Sequence, residues 1–402
     1  MLRPPLDGSC APGFEGVRTA FERNFTIHGD LGAAVAVLRD GVPVVDLWGG
    51  YADAARTRRW ERDTLVNVYS TSKGMTALCA HLLVDRGELD LDAPVARYWP
   101  EFARGGKGGL PVRWLLSHRA GLIAPRTPLP LPAAYDHDRV CAALAATEPW
   151  WEPGTAQGYH AVTFGYLVAE VVRRITGRTA GAFLRTEIAE PLGARVFLGT
   201  PPAEHPSCAD MAGMLDARLL AERHPGVPRP PLASLDAHPL AATALSLLSV
   251  PTGDVNSPAY RSAEIPAGNV HASAHGLATV YAALGGGALV APGTLAALRR
   301  PQGRPGEPDL AMGPLAPPGT DIRWGLGYLL NTQGRAGPNP HAFGHGGAGG
   351  SYAFADPENR LAYAYVMNRY GGGTTGDDPR HAGLVAAVYE AVGRAAGAPF
   401  PR

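Results

Sequence analysis

Segments with the pattern of β-strands lie at the two ends of this chain, and segments with the pattern of helices lie between them. At the amino end, apolar residues 33–38 and 42–48 flank an Asp40-Gly41 turn, which predicts a β-hairpin. At the carboxyl end, strands are predicted over 324–330, 350–355 and 361–367. Strands and helices do not alternate as they do around a parallel sheet. The pattern therefore favours an α+β fold, with one antiparallel sheet formed from both termini and flanked by helices.

The same pattern predicts two regions. Residues 1–69 and 266–402 form a discontinuous sheet region, and residues 70–265 form a mainly helical region. Residues 70–87 have apolar side chains at spacings of three and four, which predicts a helix that stops at a glycine. Residues 200–265 are rich in proline, which indicates either a lid-like excursion or a plain connecting loop.

The charges of the chain exclude several classes of function. The 402 residues include 36 Lys and Arg against 36 Asp and Glu, so the formal net charge is zero. No basic excess favours a nucleic acid or an anionic membrane as partner. The amino end lacks the apolar run of a secretory signal, and no apolar stretch reaches 18 residues. We therefore expect a cytoplasmic protein that acts on a small molecule, and the oligomeric state stays open.

No cofactor or metal is expected from the sequence. The four cysteines, Cys10, Cys79, Cys141 and Cys208, lie far apart and form no CxxC pair. No HExxH motif or clustered histidine and cysteine pattern is present. A chain of this length also needs no disulfide framework to support its core.

Only two of the 36 basic residues are lysines, Lys73 and Lys107. Lysine differs from arginine because it can give up its proton when its surroundings lower its pKa. Lys73 follows Ser70 by three residues at the predicted start of the helix, so the two side chains share one face. A neutral amine can accept the proton of a serine hydroxyl, and the positive end of a helix favours a developing oxyanion. The alternative is that Ser70 only caps the helix and Lys73 is solvated.

Several motifs together resemble the β-lactamase-related serine hydrolases, above all the class C β-lactamases and the family VIII carboxylesterases. Their sequences are Ser70-Thr71-Ser72-Lys73-Gly74-Met75, Leu115-Leu116-Ser117-His118-Arg119-Ala120-Gly121-Leu122, Pro153-Gly154-Thr155, Tyr159-His160-Ala161 and His345-Gly346-Gly347. The resemblance covers roughly residues 15–395 and implies a β-lactamase/transpeptidase-like fold.

The resemblance also implies roles for individual residues. Ser70 is the nucleophile that accepts the acyl group, Lys73 is its proton partner, and Tyr159 is the third catalytic member. A phenol beside a charged lysine is expected to have a lowered pKa, and either Lys73 or Tyr159 takes the first proton. The backbone N–H groups of Ser70 and Ala348 form the oxyanion hole.

Substrate contacts are expected at the third motif and at two tryptophans. His345 stands where the family has a permanent cation, and Gly346 and Gly347 let the substrate approach the strand. His345 is expected to be mostly neutral, and it either contacts the substrate or tunes the tyrosine. Trp151 and Trp324 either line an apolar acyl pocket or are ordinary core residues.

Two departures from the family pattern favour esters over β-lactams. The motif Tyr159-His160-Ala161 lacks the asparagine that orients substrate amides in β-lactamases, and His345 lacks a permanent charge for a β-lactam carboxylate. No G-x-S-x-G motif supports an α/β-hydrolase triad. The sequence predicts a carboxylesterase (EC 3.1.1). The alternatives are an acyltransferase of specialised metabolism, a peptidase, amidase or β-lactamase, and a non-catalytic scaffold of the same fold.

Overall fold

A seven-stranded antiparallel sheet joins the two ends of the chain in the computed structural model. The structure describes residues 4–129, 133–213, 238–245, 254–313, 316, 319–371 and 378–395. In order across the sheet, the strands are Leu6–Cys10 (β1), Val42–Gly50 (β3), Gly32–Arg39 (β2), Leu361–Met367 (β10), Tyr352–Asp356 (β9), Phe343–Gly346 (β8) and Leu329–Leu330 (β7). Strands β2 and β10 are neighbours although they come from opposite ends, with Val35 opposite Tyr365. The predicted α+β sheet built from both termini is therefore confirmed.

The strands are β1 Leu6–Cys10, β2 Gly32–Arg39, β3 Val42–Gly50, β4 Val66–Asn67, β5 Val196–Phe197, β6 His271–Ala272, β7 Leu329–Leu330, β8 Phe343–Gly346, β9 Tyr352–Asp356 and β10 Leu361–Met367. The α-helices are α1 Glu15–Thr26, α2 Ser72–Asp85, α3 Val112–Leu116, α4 His137–Ala146, α5 Thr163–Thr176, α6 Ala180–Leu184, α7 Pro239–Leu245, α8 Pro258–Ser262, α9 Ala274–Gly285, α10 Pro292–Leu298 and α11 Pro379–Ala395. Strands β4, β5 and β6 form a second, smaller sheet.

Both faces of the large sheet are covered at its centre. All seven residues of β10 are buried, which requires apolar side chains on both faces of the strand. Helix α9 packs on β2, β9 and β10, and α1 packs against α11. The predicted hairpin is confirmed, since β2 and β3 pair across a turn in which Asp40 and Gly41 both have positive φ. That is the turn for which an Asp-Gly pair is favoured.

Helix α2 crosses the interior of the molecule and positions the first motif. Twelve of its fourteen residues are buried, so its surface is apolar nearly all round. The predicted helix over 70–87 is confirmed in position, but residues Tyr69–Thr71 form a 3-10 turn before the α-helix begins. Gly74 allows the helix to lie close to Tyr281, because a Cβ there would lie 2.4 Å from the phenol oxygen.

The strand predicted over 324–330 is wrong for most of its length. Only Leu329 and Leu330 are in a strand, and Trp324 forms an isolated bridge with Leu329. Gly325 donates a backbone hydrogen bond to Tyr328 across a tight turn, and Gly327 takes φ +88°, which an extended strand does not allow.

Two predictions concern the middle of the chain. Parts of the proline-rich segment, residues 214–237 and 246–253, lie outside the described residues. The division into a sheet region and a helical region at residues 69 and 265 stays a prediction.

Among the described residues, none of the helices combines the length and the apolar character needed to span a bilayer.

Candidate active site

Ser70 lies at the entrance to α2, in a segment that is tied to its neighbours by hydrogen bonds. The Val68 N–H donates to the Val270 carbonyl at 3.0 Å, and the Val270 N–H donates to Ser72 Oγ at 3.0 Å. The Ser351 hydroxyl donates to the Val68 carbonyl at 2.8 Å. The residue just before Ser70, Tyr69, has φ +46°, an uncommon conformation for a bulky side chain. The surrounding structure therefore fixes the backbone of Ser70.

Lys73 is buried beside Ser70 and is held by two backbone carbonyls. Its Nζ lies 2.7 Å from the Ala161 oxygen, 3.0 Å from the Ala267 oxygen and 3.1 Å from Ser70 Oγ. Burial holds the pKa of Lys73 well below its ordinary value of 10.5. A neutral amine has two N–H groups, which the two carbonyls accept, and its lone pair is then left for the Ser70 hydroxyl.

Tyr159 approaches the same hydroxyl from the other side. Its phenol forms a hydrogen bond with Ser70, and its ring centroid lies 4.8 Å from Lys73 Nζ. Burial raises the pKa of Tyr159 above 10. The expected lowering of the Tyr159 pKa is therefore wrong, because the cost of burying a phenolate outweighs the stabilising hydrogen bond with Ser70.

The glycine-rich third motif lies against the segment that carries Ser70. A Cβ on Gly347 would lie 2.2 Å from the Val68 oxygen and 2.2 Å from Ser351 Oγ, so only glycine fits there. The Thr71 hydroxyl donates to the His345 carbonyl at 3.3 Å. Ala348 follows in a turn closed by a 3.1 Å hydrogen bond from the Gly350 N–H to the Gly347 carbonyl. The role of the Ala348 N–H in an oxyanion hole stays a prediction.

His345 is buried at the end of β8 and is neutral. Burial and nearby Lys73 lower the pKa of His345 to about 3. Its Nδ1 lies 2.7 Å from the Gly346 carbonyl oxygen, so Nδ1 carries the proton. Its Nε2 is buried and has no hydrogen-bond partner within the described part of the chain. The expected absence of a permanent positive charge at this position is confirmed.

A small cavity of about 30 Å³ lies beside Tyr159 and is largely apolar. Its lining residues are Tyr159, Met312, Ile322, Trp324, Leu329, Arg335, His345 and Gly346. Trp324 stacks on Tyr159 with the ring centroids 5.3 Å apart. The structure thus places Trp324, His345 and Gly346 around the tyrosine, and their substrate-binding role stays a prediction.

Trp151 does not line this cavity, and its contacts match the alternative of an ordinary packing residue. Its Nε1 donates to the Ala156 carbonyl at 3.1 Å, and its ring packs edge-on against His160. A Cβ on Gly158 would lie 2.6 Å from the Trp151 ring. Trp151 therefore supports the backbone of residues 156–160 from behind.

Asp309 is a site residue that the sequence reasoning missed. One carboxylate oxygen accepts hydrogen bonds from the backbone N–H groups of Tyr159, Ala311 and Met312 at 2.7–3.0 Å. The other oxygen accepts from Trp324 Nε1 at 2.9 Å. Asp309 therefore fixes Tyr159 and Trp324 relative to each other. It lies 150 residues from Tyr159 in a segment without a motif, so no local pattern marks it.

Comparison with known proteins agrees with this geometry. A family model described as Beta-lactamase matches residues 18–387. The chain belongs to the β-lactamase family. The resemblance and the β-lactamase/transpeptidase-like fold predicted from the motifs are confirmed.

Its similarity to individual members of the family extends over most of the chain. The esterase/β-lactamase LipL of Mycobacterium tuberculosis (strain ATCC 25618 / H37Rv) is 35% identical to this chain over an alignment 407 residues long. The alignment covers 97% of this chain and 88% of LipL. The crystal structure of a family VIII carboxylesterase has a TM-score of 0.85 and 38% identity, covering 96% of this chain and 100% of the other. A penicillin-binding protein homolog from Caulobacter crescentus has a TM-score of 0.84 and 37% identity, with the same coverage.

Proposed function

We propose that this protein is a serine hydrolase that cleaves carboxylic esters through an acyl-enzyme on Ser70. One observation carries the proposal: the Nζ of a buried lysine, held by two carbonyls, lies 3.1 Å from the Ser70 hydroxyl. An amine in this position accepts the Ser70 proton whenever it is neutral, and burial favours its neutral form.

In the first half of the proposed reaction, Lys73 accepts the Ser70 proton while Oγ bonds to the ester carbonyl carbon. The N–H groups of Ser70 and Ala348 stabilise the oxyanion. Tyr159 keeps its proton at neutral pH because burial raises its pKa. It therefore serves as the acid that protonates the leaving alkoxide, and the Lys73 ammonium returns a proton to it.

In the second half, water attacks the acyl-enzyme. The same lysine accepts a proton from the water, and the carboxylic acid leaves as Ser70 regains its hydroxyl. If an alcohol or amine replaces water in this step, the product is a new ester or amide. That outcome is the acyltransferase alternative.

Two features of the site support esters over β-lactams. The neutral imidazole of His345 offers no permanent charge for a substrate carboxylate. Ala161 contributes only its backbone carbonyl, to Lys73, and its methyl side chain cannot bind a substrate amide. The esterase/β-lactamase LipL and the family VIII carboxylesterase are each similar to nearly the whole chain.

Hydrolysis of p-nitrophenyl butyrate by the wild-type protein and by Ser70→Ala tests the proposal. We expect the substitution to lower kcat/KM by roughly 10⁴-fold or more, as removal of a serine nucleophile does. Ser262→Ala, at an exposed serine on α8, is the matched control and should keep the wild-type rate. Equal rates for wild type and Ser70→Ala would contradict the proposal.

Three further measurements refine the proposal. Time-resolved intact-protein mass spectrometry should show one added acyl group in the wild type and none in Ser70→Ala. Addition of an acceptor alcohol then separates hydrolysis from transfer by the product formed. Nitrocefin turnover at a rate that rivals the ester would contradict the preference for esters.

A further inference from the structure

Three metal-ligating side chains of different chemistry meet between α4 and α5, and none of them takes part in the proposed reaction. They are His137 and Cys141 on α4 and Glu170 on α5. Nε2 of His137 lies 3.1 Å from Glu170 Oε2 and 3.3 Å from Cys141 Sγ. All three ligand atoms lie within 4.8 Å of one another.

These separations fit a tetrahedral zinc ion. Zinc bonds of about 2.0–2.3 Å to nitrogen, oxygen and sulfur, at tetrahedral angles, put neighbouring ligand atoms roughly 3.3–3.6 Å apart. The two distances at His137 are already close to that range. An ion between the three atoms therefore needs only small shifts of the side chains.

The local fold favours convergence of the ligands on one point. His137 and Cys141 are four residues apart on α4, so both side chains project from the same face of the helix. Cys141 and Glu170 are buried, whereas the His137 side chain is 24% exposed. The buried pair supplies ligands from the interior, and the exposed edge leaves access for the ion and for a water as fourth ligand.

The charges around the cluster also suit a divalent cation. Glu170 forms ion pairs with Arg173 and Arg174, and these arginines also pair with Asp138 and Glu101. The three carboxylates and two guanidinium groups leave a formal charge of −1. A cysteine thiolate brings it to −2, which one divalent cation balances.

The two arginines orient the carboxylate without using up its oxygens. Oε1 of Glu170 accepts from Arg173 Nη2 at 2.9 Å and from Arg174 Nε at 2.7 Å. Oε2 accepts from Arg173 Nε at 2.7 Å, and its second contact is His137 itself. A metal would replace that second contact. Outer hydrogen bonds of this kind are the normal support of a ligating carboxylate.

We propose that His137, Cys141 and Glu170 bind one zinc ion through Nε2, Sγ and a carboxylate oxygen, with water as the fourth ligand. Binding releases the thiol proton of Cys141. The imidazole then carries its proton on Nδ1, so that Nε2 presents its lone pair to the metal. The ion ties α4 to α5, the helix that begins just after the Tyr159 segment. The sequence shows only the His137–Cys141 spacing, because the third ligand comes from a separate helix.

Titration of the metal-free full-length protein with Co²⁺, followed by optical spectroscopy, tests the proposal. We expect a saturable one-to-one signal with a thiolate-to-cobalt charge-transfer band, which one equivalent of Zn²⁺ removes. Zn²⁺ should also raise the Tm of the wild-type protein, because it binds the folded state. The spectrum does not depend on the activity at Ser70, so it tests the metal site separately from the esterase.

Variants locate the signal. Cys141→Ser should abolish the charge-transfer band and weaken Zn²⁺ binding at least tenfold, and His137→Gln should weaken binding while the thiol is kept. Cys10→Ser, at a partly exposed cysteine on β1, is the matched control and should bind as the wild type does. Binding that Cys141→Ser and His137→Gln leave unchanged would show an adventitious ion only. Absence of one-to-one uptake by the wild type would equally overturn the proposal.

Discussion

The two lysines of this chain have similar hydrogen-bond partners and differ at one acceptor. Lys107 Nζ donates to the carbonyls of Arg104, Ala145 and Thr147 at 2.5–3.0 Å. Lys73 Nζ contacts two carbonyls and, in place of the third, the hydroxyl of Ser70. An aromatic ring lies beside each ammonium position, Tyr159 at 4.8 Å from Lys73 and Phe102 at 5.2 Å from Lys107.

The third acceptor decides which protonation state each site fits. A carbonyl has no proton to donate, so the Lys107 site needs three N–H groups and fits the ammonium ion. A hydroxyl can donate, so the Lys73 site also fits a neutral amine. Burial lowers the pKa of both lysines: that of Lys107 to about 8, where the nearby Glu148 carboxylate opposes the shift, and that of Lys73 well below its ordinary value.

Among the changes at the two lysines and their neighbouring rings, Lys73→Arg is expected to have the largest effect on the rate. A guanidinium cannot give up its proton, so Ser70 loses its base, and kcat/KM for p-nitrophenyl butyrate should fall roughly 10²–10⁴-fold. The same exchange at the other site, Lys107→Arg, should keep the rate as long as circular dichroism shows a folded protein. Wild-type activity in Lys73→Arg would show that the two lysines do not differ in the way we infer.

Tyr159→Phe makes the ring beside Lys73 resemble the Phe102 ring beside Lys107. It removes the hydrogen bond to Ser70 and the proposed acid for the leaving group, while the stacking on Trp324 is kept. We expect kcat to fall roughly 10²-fold. The loss should be smaller for p-nitrophenyl butyrate than for an alkyl ester, because nitrophenolate needs less protonation. Equal losses for the two esters would argue against the acid role.

The pH dependence of kcat/KM tests the pKa difference between the lysines. The amine is the base only when neutral, so activity should be lost as pH falls through the lowered pKa of Lys73. Activity should rise with pH and level off well below 10.5, the ordinary lysine pKa. A profile of kcat/KM against pH with an uncharged ester gives the midpoint. If Lys107→Met shifts the midpoint of this profile, the titrating group is Lys107 and the assignment to Lys73 is wrong.

Lys107→Met is expected to have the smallest effect on the rate and a clear effect on stability. It leaves three buried carbonyls without their donor, which should lower the free energy of unfolding by about 3 kcal/mol. Urea denaturation measures this loss, and kcat/KM should stay within about twofold of wild type because such structural changes act at a distance from the site. A large loss of kcat/KM in a folded variant would contradict the purely structural role.

The sequence was sufficient for residues that carry a motif. Ser70 and Lys73 are three residues apart on one helical segment, and Tyr159 belongs to a recognisable motif, so their convergence could be predicted. The local turn signal at Asp40-Gly41 was equally reliable, because the backbone there needs positive φ at both positions.

Features that depend on tertiary packing could not be predicted. Asp309 binds Tyr159 and Trp324 through contacts that no local pattern encodes. The pKa of Tyr159 was misjudged because the sequence does not show how deeply the phenol itself is buried. The sequence left Trp151 open between a pocket residue and a core residue, and only the structure shows that its ring packs against Gly158.

The pairing of β2 with β10 sets the order in which the molecule can be completed during synthesis. Residues 33–39 are made more than 300 residues before their partners at 361–367. At typical ribosome speeds of about 5–20 residues per second the delay amounts to tens of seconds. Throughout that interval the nascent β2–β3 hairpin exposes an apolar edge that other chains can pair with. Slower translation lengthens this vulnerable period, and holdase chaperones that cover the edge should raise the yield of native protein.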